Sequence, residues 1–122
     1  MNATIFGPGG LEITAWERDF FRQTQPLGFI VFARNIDTPE QLRRLTADLR
    51  TAVGRNAPIL IDQEGGRVQR MRSPHWRDYL PALDQMDRAR DPLRAQWIRN
   101  RLIAAELHDV GIDVNCAPLA DI

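Results

Sequence analysis

The sequence predicts a parallel α/β fold assembled from successive strand–helix units. Three observations carry this reading. Apolar runs of strand length recur at 28–33, 58–61 and 112–117, as in strands covered on both faces. Capped helical patterns lie between them at the spacing of βαβ crossovers. Each run then passes into a polar loop, and the C-terminal ends of parallel strands are where such folds bind ligands.

The elements follow in order. Residues 2–6 form a short first strand, ended by Gly7-Pro8-Gly9-Gly10. That segment matches neither a phosphate loop nor a dinucleotide fingerprint, so it reads as a turn. Thr14-Ala15-Trp16-Glu17 fits a capping box, a threonine N-cap with glutamate three residues on. The helix it opens runs to about Thr24, with Pro26 and Gly28 closing it. Residues 28–33 are the second strand, and 34–37 its loop. Thr38-Pro39-Glu40-Gln41 starts another helix with proline at N1. Leu42, Leu45, Leu49 and Val53 make its apolar stripe, and Gly54 takes the left-handed position after its end. Residues 58–61 are the third strand, and 63–90, with Pro74 and Pro81, read as irregular. Asp91-Pro92 caps a helix to Val110, Gly111 ends it, and 112–117 is the last strand.

Bulk properties exclude several classes. The 122 residues suffice for one domain, and no repeat or linker divides them. Lys+Arg and Asp+Glu are both 16, which argues against a nucleic acid or anionic membrane held by bulk charge. The single cysteine, Cys116, permits no internal disulfide. No apolar run approaches the roughly 20 residues of a membrane span. With no leader pattern at the start of the chain, the cytoplasm is the expected compartment.

Residues 62–72, Asp-Gln-Glu-Gly-Gly-Arg-Val-Gln-Arg-Met-Arg, are the most informative stretch. They place two carboxylates, two glycines and three arginines at the end of a buried strand. Asp62 can accept hydrogen bonds from vicinal hydroxyls, and an arginine can donate a planar fork of them. Arg34-Asn35 end the second strand, and Asn115 with Asp121 the last. Polar groups converging from successive parallel strands resemble the active face of a (β/α)8 barrel.

Plainer readings stand beside this one. Asp62 can cap the turn after its strand, Glu64 can pair with Arg67, and three arginines can simply be solvated. A carboxylate at a strand end needs partners, however, and Arg67, Arg70 and Arg72 are near in sequence. One of them can neutralise Asp62 while another meets a ligand; Arg67 and Arg70 share a face if the segment is helical. His75 and His108 lack metal-ligand spacing, and His108 reads as a surface or packing residue. Trp16 and Trp97 fall in helical patterns and read as core. Trp76 and Tyr79 read as anchors of the long loop, with a sugar-stacking platform as the alternative. Cys116 reads as a small apolar filler.

Residues 28–35, 61–70 and 113–122 together resemble the N-terminal part of a glycoside hydrolase family 3 β-N-acetylhexosaminidase, of the cytoplasmic bacterial kind that acts in peptidoglycan recycling. The likeness runs over essentially the whole chain, and the run from Asp62 to Arg70 is its most specific segment. The resemblance implies a (β/α)8-type barrel, of which residues 1–122 form the N-terminal portion of one catalytic domain. It implies that Asp62 and Arg70 bind the non-reducing N-acetylglucosamine. The family's acid/base histidine lies in a later Lys-His-Phe-Pro-Gly-His-Gly-type loop and its aspartate nucleophile on a still later strand. No catalytic residue is therefore expected in this chain. No metal or other cofactor is implied, and the whole enzyme is expected to be a monomer acting on an N-acetylglucosaminyl-anhydro-muropeptide. A (β/α)8 barrel takes about 250 residues, so a fragment is expected. Alternatives are a family 3 β-glucosidase and a non-catalytic sugar-binding α/β domain.

Overall fold

Four strands pair in parallel, in the order in which they occur in the chain. The computed structural model describes residues 2–118. Its elements are β1 (Asn2–Phe6), α1 (Ala15–Thr24), β2 (Pro26–Val31), α2 (Pro39–Val53), β3 (Ile59–Ile61), β4 (Gln63–Gly65), β5 (Val68–Gln69), α3 (Ala82–Arg88), α4 (Pro92–Asp109) and β6 (Val114–Asn115). The main sheet runs β1-β2-β3-β6, with every pairing parallel. A doubly wound sheet reverses its strand order at a switch point. This one does not, which is the order of a barrel wall.

Helices α1, α2 and α4 form where their caps specify. Thr14 accepts from the Glu17 backbone N–H at 3.1 Å, and Glu17 Oε2 accepts from the Thr14 N–H at 2.8 Å, completing the capping box. Glu17 Oε1 also takes the N–H of Gly9 at 2.8 Å, so one carboxylate ties the β1–α1 loop to the helix. At α2 the Thr38 hydroxyl accepts from the Gln41 N–H, and Gly54 closes the helix at φ 67°. Leu42, Leu45 and Leu49 are buried against Phe29, Val31, Ile59 and Ile61 of the sheet. Each such leucine contributes about 1.5–3 kcal/mol by leaving water. Arg50 of α2 then fastens the lower edge, donating to Ala57 O, to Gly111 O at 2.8 Å and to Asp113 Oδ2 at 2.6 Å.

Several expectations need correction. Strand β2 begins at Pro26, not Gly28, because Gln25 itself takes the left-handed turn at φ 48° and ends α1. Gly28 lies inside the strand, where a Cβ would meet Pro58 O at 2.5 Å. The segment 63–90 is irregular only in part: β4 and β5 form an antiparallel hairpin at its start, and α3 follows the irregular stretch 70–81. The last strand shrinks to Val114–Asn115. Trp16 is 71% and Trp97 55% exposed, so neither is core. Trp16 stacks on Phe20, and Trp97 lies between the guanidinium groups of Arg94 and Arg101. Trp76 is buried, and Tyr79 packs against the core, as anchors of the loop.

Candidate functional site

The chain turns sharply at the end of β3. Asp62 directly follows Ile61, the last residue of β3, so its carboxylate sits at the C-terminal mouth of the sheet. Hairpin β4–β5 then doubles back through Gly65 (φ 102°) and Gly66 (φ 63°). At Gly65 a Cβ would lie 2.5 Å from Leu80 O and would also meet the Arg99 guanidinium, so the turn needs glycine for space as well as for its positive φ. The reversal returns Arg70 to the strand end, with its terminal nitrogen 2.9 Å from Asp62 Oδ2. The Asp62 and Arg70 side chains are 22% and 28% exposed, so the pair is partly open to solvent. The Nε of Arg70 is buried and has no hydrogen-bond partner among the described residues.

The other arginines divide differently from the helical expectation, because the segment is a hairpin. Arg72 donates to the carbonyls of Gln69, Gly66 and Arg67 and braces the turn. Arg67 is exposed, and neither it nor Glu64 forms an ion pair among the described residues. Arg34, in the short turn after β2, stacks on Phe32 with its Cζ 4.8 Å from the ring centroid, and Arg70 lies 5.9 Å from the same centroid. Thus two guanidinium groups and one carboxylate meet around Phe32 at the mouth.

Some of the converging polar residues have structural roles. Asn35 is fully buried; its amide donates to Pro8 O and Gly10 O, and its Oδ1 accepts from the Phe32 N–H. Asn115 extends β6 past its backbone ladder, accepting from the Gln63 N–H at 2.9 Å and donating to Gln63 O at 3.0 Å. Asp121 lies outside the described residues.

Cys116 is not a buried filler. It follows β6, is half-buried, and its N–H donates to Ile61 O, which brings it beside Asp62. Burial pushes its thiol above the ordinary range, and the Asp62 carboxylate, with a smaller push from Glu64, raises it further.

Buried residues not foreseen from the sequence support this mouth. Arg99 of α4, 3% exposed, donates to Leu80 O and Gln85 Oε1 at 2.7 Å and also to Glu64 O. Its burial lowers its own basicity, as expected when a cation leaves water with neutral carbonyls as partners. Gln69 donates to Met71 O and Arg77 O and accepts from the Tyr79 N–H. The Tyr79 hydroxyl donates to Glu106 at 3.0 Å. Burial and that carboxylate push the Tyr79 hydroxyl up to about 12. The only advance signal for these roles was amide and arginine residues falling at positions that pair across a hairpin or face the sheet.

A cavity of about 680 Å3 opens between α4 and the sheet edge at β6, with Glu64, Arg99, Ile103, Leu107 and Asn115 in its wall. Asp62 and Arg70 do not line it. His75 and His108 are exposed. No cluster among the described residues could hold a metal ion, and none of the described helices is long and apolar enough to cross a membrane.

A parallel sheet wound in sequential order, with a half-buried carboxylate–arginine pair at its C-terminal mouth, defines a barrel-type α/β protein. The chain belongs to glycoside hydrolase family 3: the Glycosyl hydrolase family 3 N terminal domain matches residues 10–122. Beta-hexosaminidase of Stenotrophomonas maltophilia (strain K279a) is 37% identical over 97% of this chain and 36% of its own length. Beta-hexosaminidase of Pseudomonas aeruginosa (strain LESB58) is 39% identical over 93% of this chain and 33% of its own. The crystal structure of NagZ from Neisseria gonorrhoeae in complex with N-trifluoroacetyl-D-glucosamine superposes with a TM-score of 0.86 at 30% identity, over 99% of this chain and 36% of that one. A glycoside hydrolase family 3 beta-N-acetylglucosaminidase from Paenibacillus sp. str. FPU-7 gives a TM-score of 0.79 at 29% identity, over 94% and 22%. The chain thus spans about a third of the length of the curated relatives it matches.

Proposed function

We propose that this chain is the N-terminal, sugar-gripping part of a single barrel domain in a retaining exo-β-N-acetylglucosaminidase. Its substrate would be an N-acetylglucosaminyl-1,6-anhydro-muropeptide, cleaved in the cytoplasm during peptidoglycan recycling by a monomeric enzyme. The observation that carries the reading is the Asp62–Arg70 pair, 2.9 Å apart at the strand end. A carboxylate held by one arginine nitrogen keeps lone pairs for two ring hydroxyls. Two of the relatives named above are beta-hexosaminidases, another is a beta-N-acetylglucosaminidase, and NagZ from Neisseria gonorrhoeae was solved with N-trifluoroacetyl-D-glucosamine. These favour an N-acetylglucosaminide over a glucoside.

In this scheme the chain supplies binding and orientation, not bond breaking. Holding the non-reducing sugar fixes its anomeric carbon against a nucleophile contributed from elsewhere in the barrel. The resemblance assigns nucleophilic attack to an aspartate and leaving-group protonation to a histidine, a variant of the two-carboxylate scheme.

The test uses the full protein carrying this chain and chromogenic N-acetylglucosaminide and glucoside substrates. The wild type is expected to prefer the N-acetylglucosaminide, and Asp62→Ala to lower its kcat/KM by about 100-fold or more. The isolated 122-residue chain should turn over neither. Hydrolysis by that chain, abolished by His75→Ala or Glu64→Gln, would overturn this division of labour. A wild-type preference for the glucoside would favour the β-glucosidase reading.

A further inference from the structure

We propose that Gln63 is a positioning residue of the sugar site: its buried side-chain amide sets where Arg70 meets Asp62, and through them the ligand. The inference rests on the reading of Asp62 and Arg70 as the sugar-binding pair.

Gln63 is 1% exposed and lies directly after Asp62. Its Oε1 accepts two backbone N–H groups, from Arg70 at 2.9 Å and Met71 at 3.0 Å. Its Nε2 donates to Met71 O at 2.9 Å. All three bonds fall on the segment that carries Arg70, so one amide performs across the hairpin what a strand ladder would do. The backbone of Gln63 is itself fixed from the other side, where the Asn115 amide accepts from its N–H and donates to its carbonyl. A chain of amides therefore runs from Asn115 of β6 through Gln63 to the backbone of Arg70, and Asp62 directly precedes its middle member, Gln63.

The residue type is specified by this geometry. Only an amide of this length presents an acceptor and a donor in one plane to N–H and C=O groups of the same segment. Met71 O has a second donor, Gln69 Nε2 at 2.7 Å. The Arg70 and Met71 N–H groups have Gln63 as their side-chain acceptor. Removing the amide therefore strands two N–H groups, one of them Arg70's own, and buried donors do not stay unpaired without a shift of the backbone. That shift moves the guanidinium relative to Asp62.

A double-mutant cycle in the full protein tests this, read by the dissociation constant for N-acetylglucosamine. Gln63→Met, close in volume but without the amide, should weaken binding by about 10-fold. Arg70→Ala should weaken it further. The double variant should bind no more weakly than Arg70→Ala alone, because Gln63 acts through Arg70. If Gln63→Met does not fold, Gln63→Glu takes its place in the cycle. It keeps an acceptor for the Arg70 N–H but sets an oxygen against Met71 O, so a smaller loss with the same coupling is expected. Additive losses overturn the proposal, as does wild-type affinity in a Gln63 variant whose thermal stability falls. Wild-type affinity in Arg70→Ala sinks the reading of the pair itself, a different failure from additivity.

Discussion

Arg70 reaches Asp62 at 2.9 Å although it lies eight positions further along the chain, beyond a complete hairpin. The pair is therefore a product of the turn at Gly65-Gly66 and of the amides that fix it. It is not a local contact, and anything that loosens the hairpin should be felt at the strand end.

Arg99 braces that hairpin from α4. Arg99→Ala leaves Leu80 O, Glu64 O and the Gln85 side chain without their donor. It should destabilise the protein by about 2–3 kcal/mol, whereas Arg94→Ala, on the exposed face of the same helix, should stay within about 0.5 kcal/mol. Urea unfolding of the two variants decides this; equal losses would mean that the buried guanidinium is not a brace.

The capping box makes stability depend on acidity. Burial tends to raise the Glu17 carboxyl, but the N–H groups of Thr14 and Gly9 and the Thr14 hydroxyl outweigh it, and it lies below the ordinary carboxylate range. A carboxyl depressed in the folded state contributes stability above its unfolded value, lost as pH falls through its folded value. Thermal midpoints should therefore drop across the acid range, and Glu17→Gln should flatten part of that fall. An identical pH profile in the variant would contradict the assignment.

Cys116, the only cysteine in the chain, reports on Asp62. Because burial and the Asp62 charge both raise the thiol, its alkylation by iodoacetamide should become fast only at a higher pH than for a free thiol. Asp62→Asn should move that profile part of the way down, since burial remains. A profile unmoved by the substitution would place Asp62 too far away to act on it.

Much of this was legible in the residues. The capping signals at Thr14 and Thr38, and the apolar runs flanked by glycine and proline, located the sheet and its helices because those signals act within a few residues. Tertiary partners decided the rest. Trp16 and Trp97 satisfy a helical period yet face solvent, since periodicity marks a face without saying what covers it. The hairpin at 63–69 was hidden because its polar alternation is held by the amides of Gln63, Gln69 and Asn115. Those residues become neighbours only after folding. The approach of Arg70 to Asp62 was an option among three arginines; the hairpin chose between them.

The most direct test of the central claim is a calorimetric titration of N-acetylglucosamine into the full protein, wild type against Asp62→Asn. The substitution preserves shape and removes the charge that receives Arg70 and, as proposed, the ring hydroxyls. Loss of charge-assisted bonds of about 1.5–3 kcal/mol predicts binding weaker by about 10- to 100-fold, with the fold retained. Unchanged affinity, with only the melting temperature lowered, would show that Asp62 caps its strand and does not hold the sugar.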